Sequence, residues 1–143
     1  MSGSEGQVNF FDRGVQLTRG FRALKLWMTI KVFGMAALRD GVEHGIRMAE
    51  HAERLLARAG WTIVTPAQLG IVSFRREAPG VAAADLDARH LEVVARMLAD
   101  GDAAVSSTVL YGFTVLRMCT INPRTTPADI ERTIAALERA WGA

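Results

Sequence analysis

Gly60 separates two kinds of hydrophobic pattern, and the stretch beyond it restricts the fold more than any other part of the chain. Two short runs rich in β-branched and aromatic residues come first, Trp61 to Thr65 and Leu69 to Arg76, with a Pro66-containing turn expected between them. A helical pattern then covers about Ala83 to Ala99, with Leu91, Val94 and Leu98 expected inward and Gly101 beyond its end. Two further strand-like runs, Ala104 to Leu110 and Phe113 to Ile121, meet at Tyr111 and Gly112 and read as a hairpin. The last helix carries its own start signals: Thr126 to cap, Pro127 in the first turn, and Asp129 for the N-terminal dipole. Its apolar row is Ile130, Ile134, Leu137 and Trp141. Such a ββαββα order favours a small antiparallel sheet with helices packed on one face, an α+β arrangement.

Two helical patterns precede Gly60. From Phe21 to Phe33 helix formers run nearly unbroken, and the polar residues Arg22, Lys25 and Thr29 occupy one narrow stripe, so most of the circumference is apolar. Gly34 offers a stop or kink. The second pattern runs from Met35 to about Ala59, with an expected inward row of Met35, Leu38, Val42, Ile46, Ala49, Ala52 and Leu56. Glu43 with Arg47 and Glu50 with Arg54 form i,i+4 pairs outside it. Residues 1–8 are small and polar and are expected to be a flexible start with no secretory signal.

At 143 residues and 50% hydrophobic content the chain suffices for one core. Its formal net charge of +2 gives no reason to expect a nucleic-acid partner. The apolar stretch from Leu24 to Phe33 is interrupted by Lys25, Thr29 and Lys31, which argues against a membrane span. Cys119 is the single cysteine, in keeping with a reducing compartment, so a cytoplasmic location is expected.

Strand alternation isolates Arg117 as a candidate functional residue. It shares one face of the Phe113 to Ile121 run with Phe113, Val115, Cys119 and Ile121, a charge within an apolar row. Burying an unpaired ion costs several kcal/mol, roughly, so such a guanidinium needs a partner. A bound carboxylate, an internal salt bridge and a snorkelling edge-strand side chain all answer that need. His44 and His51 lie on one helix face, but seven residues at about 1.5 Å rise hold them roughly 10 Å apart, too far to share a metal ion. They are expected on a solvated face, His90 at a boundary, and Cys119 in the core. Arg75 and Arg76 at a strand end are expected to be solvated. Gly3, Gly6, Gly14 and Gly20 are too scattered for a phosphate loop.

Three stretches together resemble a known family. The run from Gln16 through Thr18-Arg19-Gly20-Phe21-Arg22-Ala23-Leu24-Lys25-Leu26 to Trp27, with Gly34 beyond it, is similar to the segment after the cofactor-lysine region in group II pyridoxal-phosphate (PLP) dependent amino-acid decarboxylases, which include the aromatic-amino-acid and glutamate decarboxylases. Leu69-Gly70-Ile71-Val72-Ser73-Phe74-Arg75 resembles a strand of their small domain. Leu116-Arg117-Met118-Cys119-Thr120-Ile121-Asn122-Pro123, with Thr125, Thr126, Asp129 and Ile130, resembles its last strand and final helix. The likeness extends from about Asn9 to Trp141. It implies the small domain of a fold-type I PLP enzyme over 35–143 and a remnant of the large domain over 9–34.

By that resemblance, Arg117 occupies the place of an arginine that binds a substrate carboxylate in glutamate decarboxylases. Leu17 and Thr18 correspond to a dipeptide that approaches the PLP phosphate of the neighbouring subunit in aromatic-amino-acid decarboxylases. Thr18 stands where some relatives have glycine, and Gly20 where a second arginine is common. The only lysines are Lys25 and Lys31, and neither matches the lysine that forms the Schiff base. The implied activity is therefore that of a carboxy-lyase on an L-amino acid, with PLP in the intact enzyme. The chain alone is expected neither to bind PLP covalently nor to decarboxylate. Expected partners are an upstream PLP-binding portion, a second subunit and the amino-acid substrate. A catalytically dead dimerisation module and an unrelated ligand-binding α+β domain are the competing readings.

Overall fold

The computed structural model describes residues 20–101 and 105–142. The expectations for residues 1–8, for Leu17 and Thr18, and for Ala104 lie outside that range. The chain divides into two compact units, Met1–Ala36 and Ala37–Ala143.

Helix α1 spans Arg22–Arg58, but Gly34 within it has φ 79° and ψ 163°. Only glycine reaches that region without steric penalty, so Gly34 interrupts the helix as its sequence position suggested. In the first unit the Thr29 hydroxyl donates to the Lys25 carbonyl at 2.8 Å. Phe21, Leu26, Trp27, Val32 and Phe33 are all exposed on this stretch.

The second unit is a four-stranded antiparallel sheet of β1 (Thr62–Gln68), β2 (Ile71–Arg75), β3 (Ser106–Leu110) and β4 (Phe113–Cys119), in the spatial order β1-β2-β4-β3. Helices α2 (Ala83–Asp100) and α3 (Pro127–Gly142) complete it, so the expected α+β order is observed. Val72 and Phe74 of β2 and Leu116 and Met118 of β4 point to one side of the sheet. They form the core with Leu56 of α1, Val93 and Met97 of α2, and Ile130, Ile134 and Leu137 of α3. Burying a side chain as large as Phe74 stabilises by roughly 1.5–3 kcal/mol.

Four sequence expectations are corrected. Pro66 lies inside β1 rather than in a turn. β1 is an edge strand whose pairing slips between Ile63 and Thr65 and again before Gln68, and a residue without an N–H is tolerated at such irregular edges. The reversal falls at Leu69 and Gly70, with Leu69 at φ 52°. On α2 the buried face is Leu86, His90, Val93 and Met97, whereas Leu91 and Leu98 are exposed. His90 belongs to the inward row because both of its ring nitrogens find partners there.

On α1 the buried residues are Gly45, Met48, Ala49, Ala52 and Leu56, and Val42 is exposed. Small residues let this helix approach the sheet end closely. Thr120 donates from Oγ1 to the Gly45 carbonyl at 2.8 Å, and a Cβ on Gly45 would stand 3.2 Å from the Thr120 carbonyl oxygen. β4 and β2 end earlier than expected, at Cys119 and Arg75, whereas β1 runs on past Thr65 to Gln68.

The hairpin and the last helix match their sequence signals. Leu110 pairs with Phe113 across Tyr111 (φ 54°) and Gly112 (φ 83°), the two positive φ angles of a type I′ turn. At the start of α3 the Thr126 N–H donates to Asp129 Oδ2 at 2.8 Å and the Asp129 N–H returns to Thr126 Oγ1 at 3.3 Å, a reciprocal cap. The Thr126 hydroxyl and N–H together hold the Asp129 carboxyl below its ordinary range.

Candidate functional site

Three arginines extend from the central strands or just beyond them, and their surroundings differ. Arg75, expected in solvent, is buried with 6% exposure. Its Nε lies 2.8 Å from Glu77 Oε1 without the N–H pointing along that line, so the contact is a charge pair rather than an aligned hydrogen bond. The guanidinium also stacks 4.9 Å from the Phe113 ring centroid, with Asp87 Oδ1 4.0 Å from Nη2. A small cavity of about 220 Å³ lies beside it, lined in part by Val81, Leu86 and Phe113.

Arg76 is likewise enclosed, contrary to expectation. Its Nη1 donates to both Glu138 oxygens at 3.1 and 3.2 Å, and Nη2 donates to the Ala59 carbonyl at 3.1 Å. The rings of Trp61 and Trp141 lie 5.2 and 5.8 Å from it. Trp61 Nε1 donates to the same Glu138 carboxylate. One carboxylate thus ties the end of α1, the exit of β2 and α3 together.

Arg117 has a different setting. It is exposed, on the face of β4 turned away from the helices, together with exposed Phe113 and Cys119. The anticipated apolar row is therefore mostly open, with Val115 its buried member, and the guanidinium bears no burial cost that an internal ion pair must offset. Among the described residues no carboxylate forms an ion pair with it. Its Nε donates to Ser106 Oγ at 3.3 Å, and the Ser106 hydroxyl donates to the Arg117 carbonyl at 3.3 Å. Ser73 of β2 and Ser106 of β3 are its neighbours in register on either side. A guanidinium flanked by hydroxyl-bearing residues and free of internal carboxylates is suited to an incoming carboxylate.

Ser106 is not singled out by sequence reasoning. Its signal was available, since a two-residue turn at Tyr111 and Gly112 fixes the hairpin register and sets Ser106 opposite Arg117.

The histidines and Cys119 also need correction. His44 is half-buried and its Nε2 lies 2.6 Å from the Thr125 carbonyl, which joins α1 to the loop before α3. His51 is half-buried as well, with Nε2 enclosed and lacking a hydrogen-bond partner. His90 is fully buried: the Arg76 N–H donates to Nε2 at 2.9 Å, and Nδ1 lies 2.6 Å from the Leu86 carbonyl, which fixes the tautomer with the proton on Nδ1. Burial lowers its pKa, opposed by the Leu86 carbonyl and reinforced by Arg75. Cys119, expected in the core, is exposed. Among the described residues no three His, Cys, Asp or Glu side chains are grouped to hold a metal ion. No helix among them is long and apolar enough to cross a membrane.

A second concavity is apolar. An open groove of about 420 Å³ is bounded by Leu38, Val42, Leu69, Gly70, Ile121 and Pro123. It accounts for the exposure of Val42 on what the sequence marks as an inward row.

Residues 2–77 match the family model for the pyridoxal-dependent decarboxylase conserved domain. An aromatic-L-amino-acid decarboxylase of Bacillus atrophaeus is 44% identical over 128 residues, which cover 88% of this chain and 27% of that protein. Tryptophan decarboxylase 1 of Oryza sativa subsp. japonica is 36% identical over 111 residues, covering 74% of this chain and 22% of its own length. The chain therefore spans about a quarter of the length of the curated relatives it matches. Among solved structures, Oryza sativa TDC with PLP and tryptamine superposes with a TM-score of 0.80 at 26% identity, covering 92% of this chain and 29% of that one. The apo form of mouse CSAD, at 20% identity and a TM-score of 0.81, covers 97% of this chain and 32% of its own, and shares the fold. With just over half of its residues matched by the family model, the chain belongs to the pyridoxal-dependent decarboxylase family.

Proposed function

We propose that this chain is the carboxyl-terminal portion of a PLP-dependent amino-acid decarboxylase, a cytoplasmic carboxy-lyase acting on an L-amino acid, and that Arg117 receives the substrate carboxylate. The observation that supports this reading is the exposed Arg117 guanidinium, held by Ser106 and free of any ion pair among the described residues, while Arg75 and Arg76 each have a carboxylate. In this reading residues 35–143 are the small domain, residues 9–34 belong to the large domain, and Leu17 and Thr18 lie near the cofactor phosphate of a second subunit.

The described residues do not themselves build a PLP site. Lys25 and Lys31 are exposed on α1, with Lys31 Nζ 5.8 Å from the Trp27 ring centroid, and neither is enclosed as a Schiff-base lysine requires. Catalysis therefore needs an upstream portion that brings the lysine and the electron sink. The test is to supply that portion with this chain and measure amine formation. Arg117→Ala is expected to raise KM at least tenfold or abolish turnover, in line with losing a charged hydrogen bond to substrate. Unchanged kinetics would remove Arg117 from the site.

One observation favours a second reading, a catalytically inactive dimerisation module. Phe21, Leu26, Trp27, Val32 and Phe33 expose apolar surface on a single helical stretch. Sedimentation over a concentration series separates the two: a dimer that survives dilution supports the module, and a monomer removes it.

A further inference from the structure

We propose that Ser106 is a positioning residue for Arg117, one that fixes which edge of the guanidinium a carboxylate meets. The inference rests on the proposed carboxylate-binding role of Arg117 and deepens it. A guanidinium offers two forks to a planar carboxylate, a side fork using Nε with one Nη and an end fork using both Nη atoms. Here Nε is already committed to Ser106 Oγ at 3.3 Å. The same hydroxyl gives its own proton to the Arg117 carbonyl at 3.3 Å, so its oxygen is turned toward Nε as an acceptor. The two residues are direct cross-strand partners, so the backbone register holds the pair in place.

The side fork is thereby closed, and the end fork has no partner among the described residues. An arginine on an exposed strand face otherwise gives up much rotamer freedom on binding. With one hydrogen bond formed in advance, less is lost when a carboxylate docks. Ser106 sits on the edge strand β3 and is itself exposed, so its replacement does not open the core.

The test uses this chain labelled with ¹⁵N-arginine and titrated with succinate at constant ionic strength, following the Arg117 side-chain resonances. Wild type is expected to show saturable shifts in its Nη signals and slow exchange of Nε–H with water. Ser106→Ala is expected to bind succinate about fivefold more weakly, with faster Nε–H exchange, while Ser106→Thr, which keeps the hydroxyl, stays within about twofold of wild type. Arg117→Ala is expected to abolish the response. If Ser106→Ala binds as wild type does, or weakens without faster Nε–H exchange, the positioning role is wrong and the Arg117 reading survives. If wild type does not saturate, or Arg117→Ala binds equally well, the carboxylate site itself falls and Ser106 with it.

Discussion

Acid should destabilise this fold through one buried histidine, in a pH range above that of the carboxylates. His90 has 0% exposure and uses both ring nitrogens, giving the Nδ1 proton to Leu86 and accepting from the Arg76 N–H at Nε2. Protonating Nε2 would convert that acceptor into a donor facing a donor. Burial is the main cause of its lowered pKa, with Arg75 adding to it and the Leu86 carbonyl, Asp87 and Glu77 opposing. Because the folded value lies below the unfolded one, the unfolded chain binds the extra proton between the two. Stability therefore rises with pH across that interval and is lost as pH falls below about 6.5. For one proton the slope is at most about 1.4 kcal/mol per pH unit, hence at most about 2 kcal/mol by pH 5. His90→Leu removes this titration but strands the Arg76 N–H, at a cost of about 1–3 kcal/mol at neutral pH. Urea unfolding followed by tryptophan fluorescence from about pH 8 to about pH 5 should show the wild type and His90→Leu curves converging as pH drops. Parallel curves would refute the assignment of the acid sensitivity to His90.

Two other perturbations test the packing. Glu138→Ala removes the acceptor shared by Trp61 Nε1 and Arg76 Nη1, and is expected to cost about 1–3 kcal/mol, with Glu138→Gln recovering part of it because an amide oxygen still accepts; chemical denaturation measures both. Tyr111 is an exposed side chain held at φ 54°, so Tyr111→Asn should stabilise by about 1 kcal/mol and raise the thermal midpoint by a few degrees, whereas an unchanged or lowered midpoint would mean that the tyrosine makes compensating contacts.

Elements are more legible in the sequence than faces. Gly34, the Tyr111-Gly112 turn and the Thr126 cap are local signals whose chemistry acts within a few residues, and each sits where the pattern puts it. The inward face of α2 escapes the pattern because a histidine counts as polar until its ring nitrogens are known to have partners, and those partners, Leu86 on its own helix and Arg76 at the end of β2, include one fourteen residues away in sequence. The inward row of α1 departs from its pattern at the start for another reason. Periodicity marks which side chains share a face but not how far along that face the neighbouring layer extends, and at Leu38 and Val42 it gives way to an open groove. Pro66 shows the same limit, since whether a strand lies at a sheet edge depends on pairings that its own residues do not specify.

The strand arginines show why alternation picks out Arg117 for a reason that does not hold. A charge in an apolar row is expected to be buried and to demand a partner. Arg75 meets that description instead: its guanidinium is shut in by Phe113 and answered by Glu77 and Asp87. What keeps Arg117 open is its flank. β3 is a short edge strand, and it presents Ser106 beside the guanidinium. A valine, isoleucine or phenylalanine at 106, of the kind strands ordinarily favour, would lie over the side chain and offer Nε no acceptor. The serine instead holds the base of the guanidinium, and the terminal nitrogens of this exposed residue have no partner among the described residues. The candidate site thus depends on a small hydroxyl residue on the neighbouring strand as much as on the arginine, and that dependence is visible only once the hairpin register is fixed.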